Sequence, residues 1–257
     1  MISYPNVKIN LGLSVLRRRD DGFHDIETLF VPYMGIHDTL EIVPAEKFGI
    51  DIIKEGGCDW DPQQDLTARA YRMLAEDFDI APVHILLTKT SPVGAGLGGG
   101  SSDAAFALRM ISELCGLGLT DGQLAAYASR LGSDCAFFVY NRPMLGEGRG
   151  EILTPFDIDL SDYHLEVVVP EDIAVSTKEA YGGITPREKA AVQATPLREA
   201  LRLPVTEWEG ALVNDFETTV FKAHPELAAI KRSLYDSGAV YAAMSGSGSA
   251  LFALYRK

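Results

Sequence analysis

No stretch of this sequence is both long and apolar. The richest stretches, such as residues 165–169, are only as long as a strand. A helix that crosses a bilayer needs about 20 such residues, so no membrane span is expected. Cysteine is scarce: Cys58, Cys115 and Cys135 are the only three. Their odd number, wide spacing and lack of a C-x-x-C pair argue against a disulfide framework and against structural zinc. Reduced thiols in a cytoplasm are the expectation. The five histidines form no H-E-x-x-H pattern, which removes that route to a zinc hydrolase, and no residue is assigned as a metal ligand. Positive charge is also short. Lysine and arginine total 23 against 36 acidic residues, a formal net charge of −13. Such a surface repels nucleic acid and anionic lipid. The opening residues, Met1-Ile2-Ser3-Tyr4-Pro5, lack a basic region followed by an apolar block, so no signal peptide is expected.

What is present suits an ordinary globular protein: 257 residues, 47% hydrophobic and 23% charged. That length fits one large domain or two modest ones. Residue alternation predicts strands at 7–16, 39–43, 48–53, 84–88, 165–169, 241–244 and 250–255. Helical spacing predicts helices at 65–78 and 102–114, the second ended by Gly116. Thr120 and Gln123 form a capping box before a helix that stops at Gly132. Thr206 and Glu209 read as the cap of a further helix. Pro225 fits the first turn of another, ended by Gly238. Strands and helices mix without a βαβ rhythm, so the expected class is α+β. The glycine-rich, polar segment 146–162 reads as a join, giving domains at 1–155 and 156–257.

The most informative segment is Ser91-Pro92-Val93-Gly94-Ala95-Gly96-Leu97-Gly98-Gly99-Gly100-Ser101-Ser102-Asp103. It lies between a predicted strand and a predicted helix. Glycine lets the backbone approach an anion closely and adopt positive φ. The helix start adds unpaired N–H groups and the positive end of its dipole, and Ser101 and Ser102 add hydroxyls. This is a phosphate cradle that needs no lysine. Five glycines within the seven residues 94–100 make a plain flexible turn the poorer reading. Gly94, Gly96 and Gly99 match G-x-G-x-x-G. A dinucleotide fold would then need a strand after the helix, with an acid about 20 positions on, and the next element here is another helix. Walker A needs a terminal G-K-[ST], which is missing. Asp103, in the first helical turn, is expected to point sideways as a cap residue.

The pattern Pro-x-x-x-Gly-Leu-x-x-x-Ser-Ser-x-Ala-Ala resembles the phosphate loop of the GHMP kinases. Lys8-Ile9-Asn10-Leu11-Gly12-Leu13 and Asp21-Gly22-Phe23-His24 narrow the resemblance to a branch acting on a cytidine diphosphate-linked methylerythritol. Matches at 131–138, 148–151, 214–217, 225–227 and 244–248 carry it along nearly the whole chain. The resemblance implies two α+β domains with ATP and substrate in the cleft between them. It implies phosphorylation of the 2-hydroxyl in non-mevalonate isoprenoid synthesis, with ATP as co-substrate and Mg2+ accompanying it. Asp134 matches the catalytic base and Lys8 the lysine beside the reacting hydroxyl, while Asn10 helps hold the substrate. Phe23 and Tyr181 occupy the positions that sandwich the cytosine, His24 hydrogen-bonds it, and Thr177 lies near the same loop. Asp65 stands where many relatives carry an adenine-pocket asparagine.

Taken singly, these residues have plainer readings. Asp134 is then a cap residue, Lys8 an edge-strand lysine, and Cys135 a buried thiol rather than a nucleophile. The run Arg17-Arg18-Arg19 is then a solvated strand end. The rival functions are another GHMP kinase, acting on mevalonate, homoserine or a sugar, and a nucleotide-binding module without catalysis.

Overall fold

The computed structural model describes residues 1–187 and 195–257. They form two compact units that are not sequence halves. The first is built from Met1–Lys8, Pro32–Val93 and Gly98–Arg142, the second from Ile9–Val31, Gly94–Leu97 and Pro143–Lys257.

The first unit carries a sheet in the order β1 (Ile2–Ser3), β4 (Thr39–Pro44), β6 (Val83–Lys89), β5 (Gly49–Lys54). The β5–β6 pair is parallel and the other two are antiparallel. β6 alternates strictly, with Val83, Ile85 and Leu87 buried. That period of two marks a sheet covered on one face. The cover is helical: α2 (Gly99–Leu114) packs on β4 and against α1 (Leu66–Asp77), α3 (Asp121–Leu131) and α4 (Cys135–Tyr140). The small side chains Ala104, Ala105 and Ala107 are buried on α2, where they let neighbouring helices come close. The predicted capping box is present: Thr120 Oγ1 accepts from Gln123 N, and the Gln123 side chain accepts from Thr120 N.

β2 (Asn6–Arg18) and β3 (His24–His37) pair with β7 (Met144–Gly148) and β8 (Ile152–Pro155) in the order β2-β3-β7-β8. β2 is buried on both faces from Asn6 to Val15. In the second unit its outer edge is met by the chain at 213–215: Leu13 N donates to Val213 O, and Asp215 N donates to Leu13 O. A second sheet has the order β10 (Tyr241–Met244), β11 (Leu251–Arg256), β9 (Tyr163–Val168), all antiparallel. Its core joins Ala242, Met244, Leu251 and Ala253 to Phe216, Val220, Leu227 and Leu234. The last four come from the segment of α7 (Glu217–Ala223) and α8 (Pro225–Asp236). Two shorter helices, α5 (Thr177–Gly182) and α6 (Leu197–Ala200), also belong to this unit.

Several expectations are corrected. The segment read as a join holds strands β7 and β8, and its glycines serve the connection between them, Gly148 at φ 70° and Gly150 at φ 106°. The helix expected behind Thr206 is a single 3-10 turn, Val205–Glu207, and Gly210 at φ 78° leaves helical geometry just beyond it. No helix among the described residues is long and apolar enough to cross a membrane.

Candidate active site

The chain leaves β6 at Lys89 and re-enters regular structure at Gly99. Between them Gly94, Gly96 and Gly98 adopt φ of 74°, 78° and 73°, which disfavours any residue with a Cβ. Gly98 is the N-cap of α2 and makes no side-chain capping bond. The amides of a helix's first turn have no partner within the helix, so this end presents donors rather than covering them. Ser102 is fully buried, and its Oγ has no hydrogen-bond partner among the described residues. Gly100 is exposed, and a Cβ there would meet nothing within 4 Å.

Lys8 and Asp134 come together at the same end of α2. Lys8 Nζ lies 3.3 Å from Asp134 Oδ2. A Cβ built on Gly98 would stand 3.2 Å from Lys8 Cε, so the lysine stem runs along the junction of loop and helix. Lys8 is 2% exposed, on the buried stretch of β2, and is not the edge lysine that its residue type alone suggests. Burial pushes its ammonium down from the ordinary value, while the charge of Asp134 pulls the other way. Asp134 follows Gly132, the C-cap of α3, and is itself the N-cap residue of α4. Its side chain makes no capping hydrogen bond, so capping does not account for it. Its neighbour Cys135 is fully buried, and burial pushes the thiol up to about 12, as suits an inert core sulfur.

Asp103 is not the sideways cap expected of it. It is 1% exposed and accepts from Lys89 Nζ at 2.7 Å. The reason is helical spacing: Asp103 falls on the face of α2 that carries Ala104 and Ala107 inward. Asp65 caps α1. Its Oδ1 accepts from Thr67 N and its Oδ2 from Trp60 Nε1, so both oxygens already hold partners within the fold.

In the second unit, Ala95 O accepts from Ala250 N, and Gly96 O accepts from Ser245 Oγ at 3.1 Å. A Cβ on Gly96 would stand 2.2 Å from Ser245 O, so only glycine fits there. Asn214 fixes that turn by donating to Met244 O and Gly246 O, each at 2.8 Å. Residues 214 and 244–248 matched as motifs, but no role for them was legible in the sequence. Asn10 is buried, donates to Thr28 Oγ1 and accepts from Ser245 Oγ at 3.5 Å.

Also in that unit, Tyr181 stacks on His24 with ring centroids 4.6 Å apart and planes at 18°. Phe216 closes edge-on against Tyr181 at 4.7 Å. Phe23, 52% exposed, is packed against the Arg149 guanidinium at 5.0 Å. Tyr181 therefore takes His24 as its stacking partner in this structure, and Phe23 takes Arg149. Burial, with the nearby Arg18 charge, lowers the pKa of His24, which favours the neutral ring. Thr177 Oγ1 lies 3.3 Å from Ser247 Oγ at the start of α5.

A glycine-rich helix start is a feature that suits phosphate, and a lysine–aspartate pair beside it is one that suits phosphoryl transfer. Residues 65–142 match the GHMP kinases N terminal domain, and residues 197–257 match the GHMP kinases C terminal domain. The chain belongs to the GHMP kinases. A 4-diphosphocytidyl-2-C-methyl-D-erythritol kinase from Parabacteroides distasonis is 47% identical over 259 residues, covering 100% of this chain and 92% of the relative. The enzyme of that name from Porphyromonas gingivalis is 45% identical, covering 100% of this chain and 93% of its own. A crystal structure of 4-(cytidine 5'-diphospho)-2C-methyl-D-erythritol kinase superposes with TM-score 0.81 at 33% identity, covering 99% of this chain and 90% of that one. Homoserine kinase from Cytophaga hutchinsonii superposes at TM-score 0.70 and 18% identity, covering 98% and 86%, which is a likeness of fold.

Proposed function

We propose that this GHMP kinase transfers the terminal phosphoryl group of ATP to the 2-hydroxyl of 4-diphosphocytidyl-2-C-methyl-D-erythritol, a step of non-mevalonate isoprenoid synthesis. The observation that carries this reading is the full-length identity of 47% to a kinase of that substrate. The Lys8–Asp134 pair beside the start of α2 suits the chemistry.

Phosphoryl transfer to an alcohol asks for a positioned nucleophile, a proton acceptor and charge stabilisation. Asp134 is the base. It takes the hydroxyl proton as the oxygen bonds to the terminal phosphorus and the bond to the ADP oxygen breaks. Lys8 stabilises the charge growing on the attacking oxygen, from a buried position where water screens it little. Residues 92–102 hold the phosphates through the backbone amides that follow Pro92, and Ser101 and Ser102 add hydroxyls. Asn10 helps hold the alcohol. Phe23, His24, Tyr181 and Thr177 grip the cytidine end, with rings for stacking and a neutral imidazole to read the base edge.

Magnesium enters as the counter-ion of ATP. Among the described residues no group of three or more His, Cys, Asp or Glu side chains is placed to hold a metal ion. We keep the sequence boundary at 155/156, which falls between the two matched family domains. The enzyme is assigned to the cytoplasm, which suits its three free thiols. The test is ADP release with the cytidyl alcohol, mevalonate, homoserine and galactose as acceptors. The cytidyl alcohol is expected to turn over fastest, and faster turnover of any of the others would remove the substrate assignment.

A further inference from the structure

The alternation of β6 brings Val83, Ile85 and Leu87 inward, and the next residue on that face is Lys89. A strand cannot turn one residue outward without losing its register. Lys89 is accordingly buried, at 7% exposure, and its ammonium must find partners inside the protein.

It finds three. Lys89 Nζ donates to Asp38 Oδ2, to Asp103 Oδ2 at 2.7 Å and to Ser91 Oγ at 3.0 Å. Asp38, fully buried just before β4, also accepts from Thr90 N and Ser91 N through Oδ1, each at 2.7 Å. Burial works against the lysine's charge, but the two carboxyls outweigh it and raise its pKa. The fit at the helix end is close: a Cβ on Gly99 would stand 2.3 Å from Ser91 Oγ and 3.3 Å from Lys89 Nζ.

These partners lie at the two ends of the glycine loop. Ser91 lies two residues past the end of β6, and Asp103 is the fifth residue of α2. A buried ion pair is a weak source of stability, since a well-packed apolar group in its place is often neutral or better. What it supplies is fixed geometry. A cradle of amides works best when its direction is set before the ligand arrives, and displacements of about 1 Å matter.

We propose that Lys89 is a positioning residue of the phosphate loop. It fastens the loop's entry at Ser91 to its exit at Asp103 and so sets the direction of the first amides of α2. This rests on the reading of residues 92–102 as the ATP phosphate loop.

The test uses the full-length protein. It compares Lys89→Met, the double variant Lys89→Met with Asp103→Leu, and Gly100→Val, whose Cβ has open space around it. Three readouts are taken: affinity for a non-hydrolysable ATP analogue by calorimetry, KM for each substrate, and melting temperature. Lys89→Met is expected to weaken the analogue and raise KM for ATP about tenfold or more, with KM for the cytidyl alcohol within about twofold. The double variant, which also removes the stranded Asp103 carboxyl, is expected to melt higher than Lys89→Met while KM for ATP stays raised. Recovery of ATP binding together with melting temperature in the double variant would overturn the proposal, because the cluster would then be structural only. Unchanged analogue affinity in Lys89→Met, with Gly100→Val weakened, would also overturn it while sparing the loop reading. Unchanged affinity in Gly100→Val as well would remove the loop reading, and the proposal with it.

Discussion

Lys8 Nζ stands 3.3 Å from Asp134 Oδ2, yet the two side chains differ sharply in exposure, 3% against 31%. The lysine is the buried, fixed partner and the aspartate the reachable one. That asymmetry suits a carboxylate that exchanges a proton with a ligand beside a cation that stays in place. It also separates this pair from an ordinary surface ion pair, in which both groups are solvated and worth little.

Asp134→Asn is expected to keep the fold, because the side chain makes no capping bond that the change would break. It should lower kcat by about 100-fold or more, the scale of a positioned base, with KM for ATP little changed. Steady-state kinetics beside a melting curve measure this. Near-normal turnover in a folded variant would remove Asp134 from the reaction.

The alkaline limb of kcat is expected to lie below 10.5, the ordinary lysine value, because burial lowers the pKa of Lys8. The sign is direct. The ammonium exists below its pKa, so a lowered pKa brings its loss to lower pH, and activity falls as pH rises through it. Lys8→Arg, which keeps its charge throughout this range, should show no such limb even if its rate is lower. A pH profile of kcat for both proteins checks this, and an identical limb in both would assign it to another group.

Tyr181→Ala is expected to raise KM for the cytidyl alcohol roughly 5- to 150-fold, the equivalent of about 1–3 kcal/mol of base stacking. KM for ATP should scarcely change. Because Tyr181 also packs against His24 and Phe216, the melting temperature should fall as well. Tyr181→Phe keeps the ring and should be nearly silent in both. Equal losses for the two substrates would mark Tyr181 as core only.

Asp103→Asn is expected to gain stability relative to the parent as pH rises. Burial holds the Asp103 carboxyl well above 3.8, against the pull of Lys89. Between 3.8 and that raised value the folded parent binds more protons at this site than the unfolded chain does, so its stability falls with rising pH. Asparagine does not titrate and keeps an oxygen for Lys89. Denaturant melts of both proteins from pH 3 to 8 measure the difference, and one that shrinks with pH would contradict the assignment.

Elements with local signals were legible without knowledge of the fold. β6 alternates in burial as its strand period requires, and the Thr120–Gln123 capping box is complete within four residues. The glycine loop was legible for the same reason: positive φ at 94, 96 and 98 is a demand on single residues. β7 and β8 were hidden because glycines that make their connection read as a linker when the partner strand is not known. The partners of each charge were set by the folded chain. Asp103 is a cap residue by its neighbours in sequence, and it became a buried partner of Lys89 because β6 directs that lysine inward. Lys8 and Asp134 are 126 positions apart, and no local pattern joins them. Their 3.3 Å contact exists because β2 is buried from Asn6 to Val15 and the turn after α3 ends beside it. Periodicity and φ are properties of short segments, whereas the partners of a charge are set by the segments that fold around it.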